Sequence, residues 1–330
     1  MDYEPHHILV TGGAGFIGSH VVKELAKEFP NAALVVVDKL DACASLSNLD
    51  FAQIHRFVQH DILDDPEILV NLLNHEDIDT VMHFAAHTHV DNSFGNSLAF
   101  TLNNTYGTHA LLEACRVYGK IKRFINVSTD EVYGESLVCA NEDNTVLDPT
   151  NPYAAAKAGA ELIAKAYHCS FGIPVITTRG NNVYGPGQYP EKLIPKMIMR
   201  GLRGLPLEIH GDGSALRSFL YVTDVAKAFI CVLKKGRVGD TYNIGSPLEK
   251  SVLEVAWNLV CRLHGTKIRH VRDRAFNDCR YFICDAKLTA LGWVPEVQWT
   301  EGIRRTIDWY AEVPEGYWHD VDTPLHAHPT

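Results

Sequence analysis

Three clusters in the chain have residue types and spacings that could do chemistry. The first is Gly12-Gly13-Ala14-Gly15-Phe16-Ile17-Gly18, which contains Gly-x-Gly-x-x-Gly from Gly13 and a glycine at every third position from Gly12. Such glycines permit a tight turn and close approach of a pyrophosphate, whose charge is met by the amides and dipole of a helix starting there; Gly18 lets helix and strand pack closely. Asp38, twenty residues beyond Gly18, ends the next apolar run. A carboxylate there accepts hydrogen bonds from ribose hydroxyls and repels a 2′-phosphate, so NAD is expected over NADP, with Lys39 softening that preference. The second cluster is Tyr153-Ala154-Ala155-Ala156-Lys157. Residues four apart share a helix face, so the ammonium can sit beside the phenol and favour the phenolate that a base requires. The third is Ser128-Thr129-Asp130-Glu131. A hydroxyl beside two adjacent carboxylates suits acid/base work, and burial would push at least one carboxyl upward. A capped turn with exposed acids is the plainer reading of that cluster.

The elements that must position these groups follow from periodicity. His7–Thr11 and Ala33–Asp38 are short apolar runs, and between them Phe16, Ile17, Val21, Val22 and Leu25 recur at helical spacing. The alternation continues with strands at 55–60, 80–85, 123–128 and 175–179 and helices at 65–74, about 98–118 and 153–171. Near-continuous apolar strands alternating with helices predict a doubly wound α/β (Rossmann) fold, a parallel sheet covered on both faces. After about residue 180 glycine and proline cluster, as in Gly185-Pro186-Gly187. The expected organisation is an NAD-binding domain over 1–180 and a smaller, interleaved substrate-binding domain over 181–330. Stretches at 216–235 and 240–246, read as helix and strand, return to the first domain.

Composition excludes several classes. Over 330 residues the formal net charge is −10, a poor match to a phosphate backbone, so no nucleic-acid partner is expected. No apolar run approaches the roughly 18 residues of a membrane span, and the first residues lack a basic-then-apolar pattern; no membrane partner and a cytoplasmic location are expected. The eight cysteines are dispersed without a Cys-x-x-Cys pair and read mostly as buried, reduced thiols. Neither histidine cluster, His87-Thr88-His89-Val90-Asp91 or the tail with His319, His326 and His328, has the spacing of a metal site, so no metal is expected.

The sequence resembles the extended short-chain dehydrogenase/reductase family, and within it the nucleoside-diphosphate-glucose 4,6-dehydratases acting on UDP- or dTDP-glucose. The resemblance rests on the Gly12–Gly18 loop, Phe84-Ala85-Ala86, His89-Val90-Asp91, Asn104, the 128–134 run, the Tyr153/Lys157 pair, Asn182-Val183-Tyr184-Gly185-Pro186, the 190–195 run, Arg217 and Tyr242-Asn243-Ile244-Gly245. Thr129-Asp130-Glu131 is its most specific part, since relatives that only epimerise or decarboxylate generally lack it. The resemblance implies that Thr129 holds the sugar near carbon 4, Asp130 protonates the leaving hydroxyl, Glu131 takes the carbon-5 proton, and Tyr153, supported by Lys157, takes the carbon-4 hydroxyl proton. The cofactor is expected against Gly12, Gly15, Phe16, Ile17, Gly18, Asp38, Lys39, Asp61, Ile62, Ala85, Ala86, Tyr153 and Lys157. The nucleotide-sugar is expected against His89, Asn182, Glu191, Lys192, Arg217, Asn277 and Arg280. His87-Thr88, Asn92 and Asn277 depart from the usual family residues. The alternatives are a nucleotide-sugar 4-epimerase or decarboxylase and a catalytically silent NAD-binding regulator. A homodimer through a four-helix interface is expected, with Leu102, Tyr106, Ala110, Leu111, Ala114, Ala160, Ile163, Ala164 and Tyr167 supplying its apolar surface.

Overall fold

Strands that carry apolar residues at successive positions must be covered on both faces, and that condition organises the larger half of the molecule. The computed structural model describes residues 2–136, 138–263, 265–273 and 278–325. Its strands are β1 (His7–Thr11), β2 (Ala33–Asp38), β3 (Arg56–Gln59), β4 (Thr80–His83), β5 (Arg123–Thr129), β6 (Val175–Gly180), β7 (Asn182–Tyr184), β8 (Leu207–His210), β9 (Leu216–Tyr221), β10 (Thr241–Ile244), β11 (Glu249–Ser251) and β12 (Ile268–Val271). Seven of them form one sheet in the order β10-β6-β5-β4-β1-β2-β3, with every pairing parallel. The chain moves outward from β1 to β3 and then returns to place β4 on the other side of β1. That reversal opens a crevice at the carboxyl ends of β1 and β4, where such sheets bind ligands.

The two sheet faces bury alternate residues of the same strands. Ile8, Val10 and Val36 pack with helices Phe16–Glu28 and Val222–Lys235, whereas Leu9, Val35 and Val37 pack with helices Pro66–His75, Gly107–Tyr118 and Pro152–Phe171. A second core lies in the C-terminal half, where helices Leu193–Leu202, Val252–Val260 and Trp299–Glu312 bring Ile194, Ile198, Val255, Leu259, Trp299 and Ile303 around Tyr184. The small β7/β9/β11 sheet and the β8/β12 pair belong to that half. Helix Val222–Lys235 and β10, although late in the chain, join the large sheet.

Several expectations change in detail. The stretch read as helix from 216 begins as β9, because its backbone pairs with β7 and β11 before the helix starts at Val222. The long helix at 98–118 is interrupted by a wide, π-type segment, Thr101–Tyr106. This segment carries buried Asn103 and Asn104 toward the cleft, and the Asn104 amide brackets the His87 backbone with bonds of 2.8 and 2.9 Å. The cysteines are unpaired, but Cys115 alone is buried; Cys139, Cys169, Cys261 and Cys279 are exposed. Local apolar neighbours cannot say which helix face a thiol takes.

The apolar set expected at a dimer interface is also divided. Ala110, Leu111, Ala114, Ala160, Ala164 and Tyr167 are buried within the chain. Leu102 and Tyr106 remain about half exposed, and Leu98 and Leu162 join them outside.

Candidate active site

One cleft of about 1870 Å³, counted to its open mouth, runs along the carboxyl ends of the strands. Its lining is continuous from the glycine turn at Gly12–Gly18 through Ser128–Glu131 to Asn182, Glu191 and Lys192. Gly12 adopts φ +70°, and a Cβ there would stand 2.6 Å from the Ala85 amide nitrogen. A Cβ on Gly18 would stand 2.3 Å from the Gly12 carbonyl oxygen. Helix Phe16–Glu28 starts at Gly15 with no side-chain cap, leaving its first amides for an anion. Asp38 is buried at the end of β2, one oxygen accepting from Ala14 N at 3.0 Å and the other from Leu40 N at 2.8 Å. Burial raises its carboxyl above the ordinary value. This set fits a dinucleotide, with the pyrophosphate at the glycine turn and a ribose at Asp38.

Lys39, expected to soften the discrimination against a 2′-phosphate, is engaged by its neighbours. Its ammonium lies 3.0 Å from Asp41 and 3.5 Å from Asp61, and donates to Asn103 at 3.2 Å. Two carboxylates already balance that charge. Phe16, Ile17, Ile62, Ala85 and Ala86 line the same cleft.

The reactive side chains stand where β5 ends. Thr129 Oγ1 accepts from the Glu131 amide at 3.4 Å and donates to Asp130 Oδ1 at 3.2 Å, so the two carboxyls diverge from one short 3-10 turn, Asp130–Tyr133. Behind it a buried pair, Arg179 with Glu161 at 2.7 Å, reaches Tyr133 OH, also at 2.7 Å. Breaking such a pair from one side costs about 3–5 kcal/mol, which fixes the turn against β6 and helix Pro152–Phe171. Asp130 is buried and receives Asn181 Nδ2 at 2.6 Å. Burial, reinforced by the Glu131 charge, raises its carboxyl to about 7. Burial also raises Glu131, which accepts from Asn151 Nδ2 at 3.0 Å.

Tyr153 and Lys157 sit in the first turns of helix Pro152–Phe171, both buried and both lining the cleft. The Lys157 ammonium donates to the Val127 carbonyl at 2.6 Å, and burial lowers it to about 8. The phenol of Tyr153 is held well above its usual value by burial and by the Glu131 and Asp130 charges. Burial, and after it the two carboxyls, oppose the phenolate that a positive charge on Lys157 would favour.

On the opposite wall Asn182, Glu191 and Lys192 line the cleft. Lys192 also donates to the Thr88 carbonyl, and the His89 ring stands 3.9 Å from Glu191 and 4.0 Å from Asp91. Arg217 lies at the edge of this assembly, donating to the Asp278 carbonyl at 2.9 Å with its guanidinium over the Tyr281 ring. Arg280 is engaged by Glu249 and lies outside the cleft lining. Asn277 falls outside the described residues, as do His326 and His328. Among the described residues no group of three or more potential ligands could hold a metal ion.

Sequence reasoning missed Asn151 and Asn181, and in the 277–281 run it took Asn277 and Arg280 rather than Asp278 and Tyr281. Asn-Pro at 151–152 signals a helix start, yet nothing local shows that its amide reaches Glu131. The approach of Tyr281 OH to Glu131, at 3.5 Å, spans 150 positions.

The family model described as GDP-mannose 4,6 dehydratase matches residues 9–306. A trifunctional UDP-glucose 4,6-dehydratase/UDP-4-keto-6-deoxy-D-glucose 3,5-epimerase/UDP-4-keto-L-rhamnose-reductase of Arabidopsis thaliana is 54% identical over 338 residues, covering 99% of this chain and 50% of the relative. The chain thus spans about half the length of that relative. The dTDP-D-glucose 4,6-dehydratase of Homo sapiens is 45% identical, with 98% and 94% of the two chains covered. The crystal structure of a dTDP-glucose 4,6-dehydratase from Streptomyces venezuelae, with NAD bound, superposes with a TM-score of 0.89 at 39% identity, covering 97% of this chain and 100% of that one. A family model spanning most of the chain and relatives matched along nearly all of it place the chain in the nucleotide-sugar 4,6-dehydratase family of extended short-chain dehydrogenases/reductases.

Proposed function

We propose that the chain is an NAD-dependent lyase that removes water from a nucleoside-diphosphate-glucose, UDP- or dTDP-glucose, to give the 4-keto-6-deoxy sugar. The observation that carries this reading is the pair of carboxyls beside Tyr153, one of them, Asp130, raised to about 7 so that it holds a proton near neutrality. An epimerase or decarboxylase has no need of an acid and a base placed side by side to serve oxygen 6 and carbon 5. Higher identity to the UDP-glucose relative than to the dTDP-glucose one favours UDP.

NAD, held by the glycine turn, Asp38 and the Ala85-Ala86 wall, would supply the hydride acceptor at carbon 4 and the hydride donor at carbon 6. The chain's own groups move the protons. Tyr153 takes the proton of the carbon-4 hydroxyl, and the neutral form of Asp130 eases that loss by removing one of the charges that oppose the phenolate. With carbon 4 a ketone, the neighbouring carbon-5 hydrogen becomes acidic and Glu131 takes it. Asp130 gives its proton to oxygen 6, which leaves as water, and Glu131 returns its proton to carbon 5 when carbon 6 is reduced. The proton gained by Tyr153 balances the one given up by Asp130.

Leu98, Leu102, Tyr106 and Leu162, exposed on packed helical segments, are the surface we assign to a two-fold dimer. Incubation with UDP-glucose and with dTDP-glucose, followed by mass measurement, tests the activity: loss of one water supports it, and an isobaric product or unchanged substrate overturns it.

A further inference from the structure

We propose that Asn151 is a positioning residue for the elimination step, tying Glu131 to the helix that carries Tyr153 and Lys157; the proposal rests on the dehydratase reading above. Asn151 is 5% exposed and precedes Pro152 at the start of that helix. Its Oδ1 accepts from Ala154 N at 2.9 Å, and its backbone carbonyl accepts from Ala155 N at 2.9 Å. Its Nδ2 donates to Glu131 Oε2 at 3.0 Å. The two bonds define the amide's orientation: reversed, it would set NH2 against the Ala154 N–H and an oxygen against the Glu131 carboxyl. One planar group thus ties Glu131 to the first turn of the helix that carries Tyr153.

The Tyr281 hydroxyl stands farther from the same Glu131 oxygen, at 3.5 Å, and its single proton is directed to Asp278 Oδ2 at 2.5 Å. Asp130 and Asp278 face Glu131 with acid groups, Tyr153 and Tyr281 with phenols, and Lys192 and Arg217 with positive charge. In this surrounding the Asn151 amide is the short, neutral donor that holds the carboxylate toward carbon 5 and favours its charged form. Serine at 151 would still cap the helix, but its hydroxyl, one bond from Cβ, would be taken by the cap and leave Glu131 without that donor. Aspartate would cap as well and present a carboxylate in the donor's place.

The test uses NAD-loaded protein and UDP-glucose in single turnover, following NADH absorbance for oxidation and deuterium entry at carbon 5 from heavy water for elimination. Asn151→Ser should form NADH within about threefold of the wild-type rate while carbon-5 exchange slows by about tenfold to a hundredfold, the range of a charge-assisted hydrogen bond. The acidic limb of the exchange pH profile, where Glu131 loses its proton, should move to higher pH, further in Asn151→Asp than in Asn151→Ser. Both variants keep a cap, so their unfolding midpoints should stay near that of the parent. If Asn151→Ser slows oxidation and exchange by the same factor, or leaves the pH limb in place, Asn151 is a helix cap only and the proposal fails. A wild-type protein that forms no NADH overturns the dehydratase reading itself, a different result from either.

Discussion

The cofactor cradle and the reactive centre line one cleft but are built by different means. The cradle is largely main chain, drawn from residues 12–18 with the carboxylate of Asp38 closing it, and its tolerances are steric: 2.3 Å separates a would-be Cβ on Gly18 from a carbonyl oxygen. The reactive centre is all side chain, gathered from the end of β5, the start of helix Pro152–Phe171, Asn181 and the 278–281 segment. Its tolerances are electrostatic, set by two carboxyls, a phenol and an ammonium buried together. The contrast teaches that the cradle fails when backbone is displaced, whereas the reactive centre can fail through one proton while the fold stays intact.

The largest effects should come from that second kind of failure. Tyr153→Phe keeps the ring and removes the proton acceptor, so we expect oxidation to fall by about 10²–10⁴-fold with substrate binding nearly unchanged. Glu131→Gln should reduce dehydration over a similar range, yet still form NADH in single turnover without deuterium entering carbon 5. Full carbon-5 labelling at the wild-type rate in Glu131→Gln would remove Glu131 from the role of base and erase the contrast at its centre.

Asp130 gives a prediction in stability rather than rate. The folded chain holds its proton up to about pH 7, whereas an unfolded aspartic acid releases it near its ordinary value of 3.8. Folding therefore binds a proton in that window, and stability falls as pH rises from about 4 to 7. Asp130→Asn should be more stable than the parent at pH 8, by a few kcal/mol at most, and no more stable near pH 4, while dehydration slows. Thermal unfolding at the two pH values reads this directly. Equal midpoints at both would mean that Asp130 is ionised in the folded protein.

The cradle should give smaller effects of the opposite character. Gly18→Ala forces backbone apart, so it should cost about 1–3 kcal/mol of stability and weaken NAD binding together, by calorimetry and by titration. Asp38→Ala should weaken NAD about tenfold, since it removes ribose hydrogen bonds to a charged acceptor and leaves the turn in place. NADP bound as tightly as NAD by the parent would show that Asp41 and Asp61 do not balance Lys39.

How much could be read in advance follows the same division. The βαβ start, the glycine turn, Asp38 and the order of the first six strands were legible, because each is written within about ten residues by apolar periodicity and turn chemistry. Tyr153 and Lys157 were legible as a pair for the same reason, four positions on one helix. Their protonation was not, because the groups that oppose the phenolate come from another element.

The sequence by itself determined the fold class and the parallel sheet, since hydrophobic pattern is a property of the chain, and it offered Thr129, Asp130, Glu131, Tyr153 and Lys157 as candidates. Only the tertiary structure decided that Asn181 holds Asp130 across 51 positions, that Asn151 rather than Lys157 links the helix to a carboxyl, and that Arg280 is engaged by Glu249. It also decided that Lys39 is balanced by two aspartates and that most cysteines are not interior. Burial and charge depend on what packs around a group from every side, and those neighbours are assembled only when distant segments meet.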